Sequence, residues 1–253
     1  MRILLTNDDG YFAPGLVALR KYLSKYFKVV VVAPDRDRSG ASHSLTVTRP
    51  LRVDKIEKDY YAVDGTPTDA VMIALYCLLK QKKPDIIVSG INSGANMGED
   101  VTYSGTVAAA IESTLLGFPS IAVSLAGNES ANYLDLKEYS KASQFTRKAI
   151  NLIVRKGLPD GVFLNINVPM GKNVDTRKYR ITQLGKRVYD DVITEKIDPR
   201  GERYYWIAGR ARVTGKGPDT DFGAVERKLI SVTPLAVDTA ARDFVKELKT
   251  WNF

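Results

Sequence analysis

Cysteine, histidine and long apolar runs are nearly absent from this chain, and each scarcity removes a class of function. A single cysteine, Cys77, excludes an internal disulfide and fits a reducing compartment. It lies in an apolar helical stretch, Val71 to Leu79, so inert core packing is its expected role. A single histidine, His43, excludes a histidine-rich metal site and His–Cys zinc chemistry. His43 sits in a polar loop, where catalytic duty and a structural or solvated role both stay open. No apolar stretch approaches the ~18 residues that a membrane-spanning helix requires. Charged residues within the first ten positions are unlike a secretory signal. A cytoplasmic protein with no membrane partner is therefore expected. Internal repeats and low-complexity linkers are missing too, as are nucleic-acid-binding motifs and the clustered aromatic platforms of single-strand binders.

What the chain does have is enough length, 253 residues, for one large core or one core with an appended arm. Its net charge of +8 is unevenly placed, with twelve Lys/Arg against six Asp/Glu between Gly171 and Lys216. Such an excess draws in anions, or serves as a solvated, salt-bridged surface. Without a nucleic-acid motif, a small anionic molecule fits better than DNA, and no stable nucleic-acid partner is expected.

Arg2 to Thr6 reads as a short buried strand with a turn signal behind it. Pro14 suits a first helical position, with Leu16, Leu19, Leu23 and Tyr26 following at helical spacing. Lys28 to Ala33 is a second buried strand. This strand–helix–strand alternation predicts a parallel sheet with right-handed crossovers. Leu45 to Val53 alternates in part, bent by Pro50, and Tyr60 to Val63 is a further extended piece. Thr66 or Thr68 caps a helix with Pro67 in its first turn. Core strands are expected at Asp85 to Ser89, Phe118 to Leu125 and Val162 to Val168, with a mostly helical segment from Leu134 to Arg155. The fold class is α/β, a Rossmann-like, mostly parallel sheet flanked by helices. Residues 1–176 are expected to form the catalytic core. Residues 177–253 would supply an extended β arm, a returning strand at Leu229 to Pro234 and a C-terminal helix for oligomer contacts.

Asn7, Asp8, Asp9 and Gly10 fall where the first strand ends, the edge at which open α/β sheets bind ligands. Two adjacent carboxylates raise each other's pKa unless a cation neutralises them. A divalent metal explains the pair, and so does a helix cap, although one aspartate suffices for a cap. Ser39, in the loop after the second strand, offers a hydroxyl oxygen to a hard cation or bonds to nearby backbone as a turn residue. After Ser89, the stretch from Gly90 to Asp100 combines three glycines with two asparagines, Asn92 and Asn96, and suits holding a metal or an oxyanion. Ser104, Gly105 and Thr106 open the next helix, whose unsatisfied N–H groups and dipole favour a phosphate. The first βα turn lacks G-x-G-x-x-G and carries carboxylates instead, which argues against a dinucleotide site. A receiver-like reading lacks a phosphoacceptor aspartate after the later core strand.

TNDDG, VVAPDRDRSGASHS, GTPTDAV, VSGINSGANMGEDVTYSGTVAAAIE and FPSIAVSL, in that order, resemble the SurE family (survival protein E, metal-dependent nucleotidases). LNINVP and DPRGERYYWI are similar too, so the likeness runs from residue 1 to about Pro234. The resemblance implies a 5′-nucleotidase that hydrolyses nucleoside monophosphates, and leaves room for 3′-nucleotidase and exopolyphosphatase activity. It implies one divalent cation per subunit, Mg²⁺ or Mn²⁺, held by Asp8, Asp9, Ser39 and Asn92. Either Asp8 or Asp9 is then expected to orient or deprotonate the attacking water. Asn96, Ser104, Gly105 and Thr106 would hold the phosphate, His43 is not in the catalytic set, and homodimers or homotetramers are implied. The alternative class is a non-catalytic metal- or nucleotide-binding regulatory module.

Overall fold

The computed structural model describes residues 1–127, 135–190, 193–207 and 210–251. The chain begins with β1 (Arg2–Thr6), α1 (Pro14–Leu23), β2 (Lys28–Pro34), β3 (Val53–Glu57), β4 (Tyr60–Val63) and α2 (Pro67–Ile73). The middle holds β5 (Ile86–Ser93), α3 (Gly105–Leu115), β6 (Ser120–Ala126), α4 (Ser140–Lys156) and β7 (Val162–Pro169). Then come β8 (Tyr179–Ile181), β9 (Arg187–Asp190), β10 (Ile193–Ile197), β11 (Arg203–Ile207) and β12 (Arg210–Val213), followed by α5 (Asp221–Glu226), β13 (Ile230–Ala236) and α6 (Arg242–Leu248).

Among the described residues nine strands form one sheet in the order β3-β4-β2-β1-β5-β6-β7-β13-β8. From β4 to β7 every neighbouring pair is parallel. The two margins break the rule, with β3 antiparallel to β4 and β13 antiparallel to β7. Alternation along β1 explains the layering. Ile3 and Leu5 face one way, into a core with Leu16 and Leu19 of α1 and Phe145 and Ile150 of α4. Leu4 faces the other way, against Ala70 and Val71 of α2 and Ala109 of α3. The chain moves from β1 to β2 on one side and later places β5 on the other side of β1. This makes a topological switch point, and a crevice opens there beyond the strand ends.

Three expectations change. Leu45 to Val53 forms no strand before Val53. Side chains satisfy its backbone instead: Thr46 N–H donates to Asp69 Oδ1 at 3.0 Å and Arg52 N–H to Asp64 Oδ1 at 2.7 Å. Cys77 is exposed rather than in the core. A π-helical turn, Ala74–Leu78, follows α2, and its wider turn rotates Tyr76 and Cys77 outwards. The expected helix from Leu134 starts outside the described residues, and α4 itself begins at Ser140. Beyond β8, β10 pairs with β11 and β9 with β12 as antiparallel ribbons separate from the main sheet. The returning strand β13 joins the main sheet between β7 and β8.

Candidate active site

The crevice is built from strand ends and one helix start. The α1 helix has Pro14 in its first turn and Ala13 at its N-cap, with no side-chain cap, so neither Asp8 nor Asp9 caps it. Asp8 is buried, at 4 % exposure, and its Oδ1 accepts the Thr106 hydroxyl. Burial pushes the Asp8 carboxyl up, against the pull of the hydroxyl and backbone amide of Thr106. Asp9 is half-buried, and its Oδ2 accepts the Ser93 N–H at 3.3 Å. Burial first, and then the charge of Asp8, raise Asp9 from 3.8 to about 7. Among the described residues no Lys or Arg pairs with either carboxylate.

A cavity of about 450 Å³ brings Asp8, Asp9, Ser39, Asn92, Asn96 and Ser104 together. Ser39 donates its hydroxyl to Asp37 Oδ1 at 2.6 Å, which leaves the oxygen's lone pairs for a cation. Asn92 donates Nδ2 to Gly94 O at 2.9 Å, which leaves Oδ1 as its acceptor. Two carboxylates, one hydroxyl and one amide oxygen form a hard, all-oxygen donor set that suits Mg²⁺ or Mn²⁺. Among the described residues no group of three or more His, Cys, Asp or Glu could hold a metal, so a cation at the pair would need neutral oxygens beside it.

Opposite these donors stands the start of α3. Ser104 is the N-cap, with Oγ accepting Val107 N–H at 3.1 Å and its own hydrogen left to donate. Asn96 Nδ2 spends one hydrogen on Ser124 Oγ at 2.8 Å and keeps the other. The Asn96 backbone is pinned by Asn167, which accepts its N–H at 2.9 Å and donates to its carbonyl at 2.9 Å. Gly105 and Thr106 are buried behind the wall. A Cβ on Gly105 would lie 2.7 Å from Asp8 Cβ, so only glycine lets α3 approach this closely. Thr106 donates its hydroxyl to Asp8 and lies outside the cavity lining.

A family model described as "Survival protein SurE" matches residues 3–191. The chain belongs to the SurE family. A relative from Geotalea uraniireducens, named 5′-nucleotidase SurE, is 48 % identical over 253 residues, covering 100 % of this chain and 99 % of its own. Another of that name from Geobacter sulfurreducens is 47 % identical over 252 residues, covering 100 % and 94 %. The solved structure of the SurE protein from Aquifex aeolicus superposes with a TM-score of 0.85 at 42 % identity, covering 98 % of both chains.

Beside these SurE motif residues stand partners that the sequence reading missed. Asp37 orients Ser39, receiving both its hydroxyl and its N–H, the latter at 2.8 Å. The Asp37-Arg38-Ser39 spacing of a side-chain turn was the available signal. Ser93 shares a 2.5 Å hydrogen bond with the buried Tyr139, which no local pattern announces. His43 lies 2.8 Å from Glu112 Oε2 and ties its loop to α3, outside the cavity wall.

Proposed function

We propose that this chain is a divalent-metal-dependent 5′-nucleotidase that hydrolyses nucleoside monophosphates to nucleoside and phosphate. One observation carries the reading: the carboxylate pair and the phosphate-side donors Asn96 and Ser104 line one cavity at the switch point. A dianionic phosphate cannot face two carboxylates without a cation between them. In this reading Asp8, Asp9, Ser39 and Asn92 hold one cation, Mg²⁺ or Mn²⁺. When bound there, it supplies Lewis-acid polarisation of a phosphoryl oxygen and a water of lowered pKa.

The protein's own groups do the rest. Ser104 Oγ and the second hydrogen of Asn96 Nδ2 donate to phosphoryl oxygens, and the dipole at the start of α3 adds to the stabilisation as charge builds. Thr106 fixes Asp8, and Asp37 fixes Ser39, so the donors are oriented before substrate arrives. Asp9, the less buried carboxylate, orients the attacking water and accepts its proton.

Phosphate release from nucleoside 5′-monophosphates, before and after chelation and with Mg²⁺ or Mn²⁺ restored, tests the reading. Turnover that follows the metal supports it. Tight nucleotide binding without turnover under any divalent metal would indicate the non-catalytic binding module instead.

A further inference from the structure

Part of the cavity lining has no role in phosphate chemistry. This part includes Asp100, Tyr103 and Tyr189, beside the carboxylates and Ser104. We propose that Tyr103 and Tyr189 form the aromatic face against which the nucleobase stacks, and so separate nucleotides from base-free phosphate esters. This inference rests on the nucleotidase reading above and names the part of the substrate that reading leaves unheld.

Tyr103 is 66 % exposed, yet its backbone is fixed on both sides. Its N–H donates to Asp100 O at 3.1 Å and its carbonyl accepts Ser42 N–H at 3.3 Å. It directly precedes Ser104, so the ring is rooted one residue from the phosphate-side hydroxyl. Tyr189, at the base of the arm on β9, donates its hydroxyl to Asp100 Oδ1 at 2.7 Å. The Arg187 guanidinium lies 5.5 Å from the Tyr189 ring centre and also pairs with Asp100. The Tyr103 backbone and the Tyr189 hydroxyl are thus held, and neither residue is buried.

Two exposed aromatic faces at the mouth of a polar cavity are stabilised by a flat partner that takes them out of water. At about 450 Å³ the cavity exceeds what a phosphate alone fills and lies in the range of small-molecule sites. Asp100 already receives Arg187 and Tyr189, so the rim offers ring faces more than free hydrogen-bonding edges. Stacking, unlike edge reading, requires only a π-face on the ligand.

The test is steady-state kinetics of the metal-loaded enzyme on a purine nucleoside 5′-monophosphate and on ribose 5-phosphate, the same ester without a base. Tyr103→Ala and Tyr189→Leu are expected to lower kcat/KM for the nucleotide roughly ten-fold, mainly through KM. Their loss on ribose 5-phosphate stays below about two-fold, which also reports an intact site. Tyr103→Phe restores nucleotide KM, because stacking needs the ring and not the hydroxyl. Equal losses on both substrates, or no loss on the nucleotide, would overturn the proposal. If the wild type hydrolyses the nucleotide and Tyr103→Ala loses nothing on it, stacking alone falls. If the wild type hydrolyses neither ester, the nucleotidase reading falls with it.

Discussion

Asp9 carries the sharpest residue-level consequence. Its carboxyl is raised from 3.8 to about 7 by burial and by the charge of Asp8. In the metal-free protein the folded state therefore keeps a proton that the unfolded chain releases over that interval. This stabilising contribution is fully present below about pH 3.8 and is lost as pH rises through about 7. A divalent cation that replaces the proton should stabilise most where the pair is ionised. Thermal unfolding with and without Mg²⁺ should show a larger metal-induced rise in Tm at pH 8 than at pH 5. An equal rise at both would place the cation elsewhere. Thr106 supports a second prediction at this scale. Thr106→Val removes the hydroxyl that Asp8 accepts, leaving a buried carboxylate oxygen without it. The expected cost is about 1–3 kcal/mol of stability, together with weaker metal affinity, read by chemical denaturation and by metal titration.

At the scale of elements, α3 presses directly on the end of β1. Gly105→Ala would place a methyl 2.7 Å from Asp8 Cβ, so either the helix start or the aspartate must move. A loss of about ten-fold or more in kcat is expected, with the fold retained by circular dichroism. The loop that carries Asn96 has its own brace. The fully buried Asp221 accepts N–H groups from Gly98, Gly185 and Phe222, each at 2.8 Å. Asp221→Ala strands three amides and should lower unfolding free energy by about 3 kcal/mol, measurable in urea. Elements of this local kind were the legible ones. Strand β1 with its TNDDG end, Pro14 opening α1 and Thr66 capping α2 each announce themselves within a few residues. What stayed hidden was non-local. Asp69 and Asp64 take the backbone of the stretch from Thr46 to Arg52 away from any strand, and the π-helical turn swings Cys77 outwards. Asp221 and Tyr139 reach the site region across 123 and 46 residues of chain, a distance over which periodicity carries no signal. The motif residues of the candidate site were legible because strand-end loops of a parallel sheet meet at one edge. Thr106's orientation was not, because facing Asp8 rather than the cavity depends on how α3 packs.

Over the whole molecule, the main sheet and its helices sit beside a ribbon that buries little of itself. Ile193, Ile197, Trp206 and Ile207 are 64 %, 65 %, 62 % and 83 % exposed. A two-stranded ribbon with such faces is marginal alone, and we propose that it packs on a second copy. Deleting residues 196–214 should therefore move the protein towards monomer in sizing with light scattering. An unchanged mass per particle, after allowing for the deletion, would refute an arm-held oligomer. The core makes a separate claim, that one cavity joins a cation held by the carboxylate pair to a phosphate held by α3. Phosphate release from a nucleoside 5′-monophosphate measures it most directly, comparing wild type with Asp9→Asn under chelation and after Mg²⁺ or Mn²⁺ is restored. Wild-type activity should vanish with chelator and return with metal, while Asp9→Asn stays lower by at least about a hundred-fold under both metals. Turnover indifferent to chelation and to Asp9→Asn would contradict it.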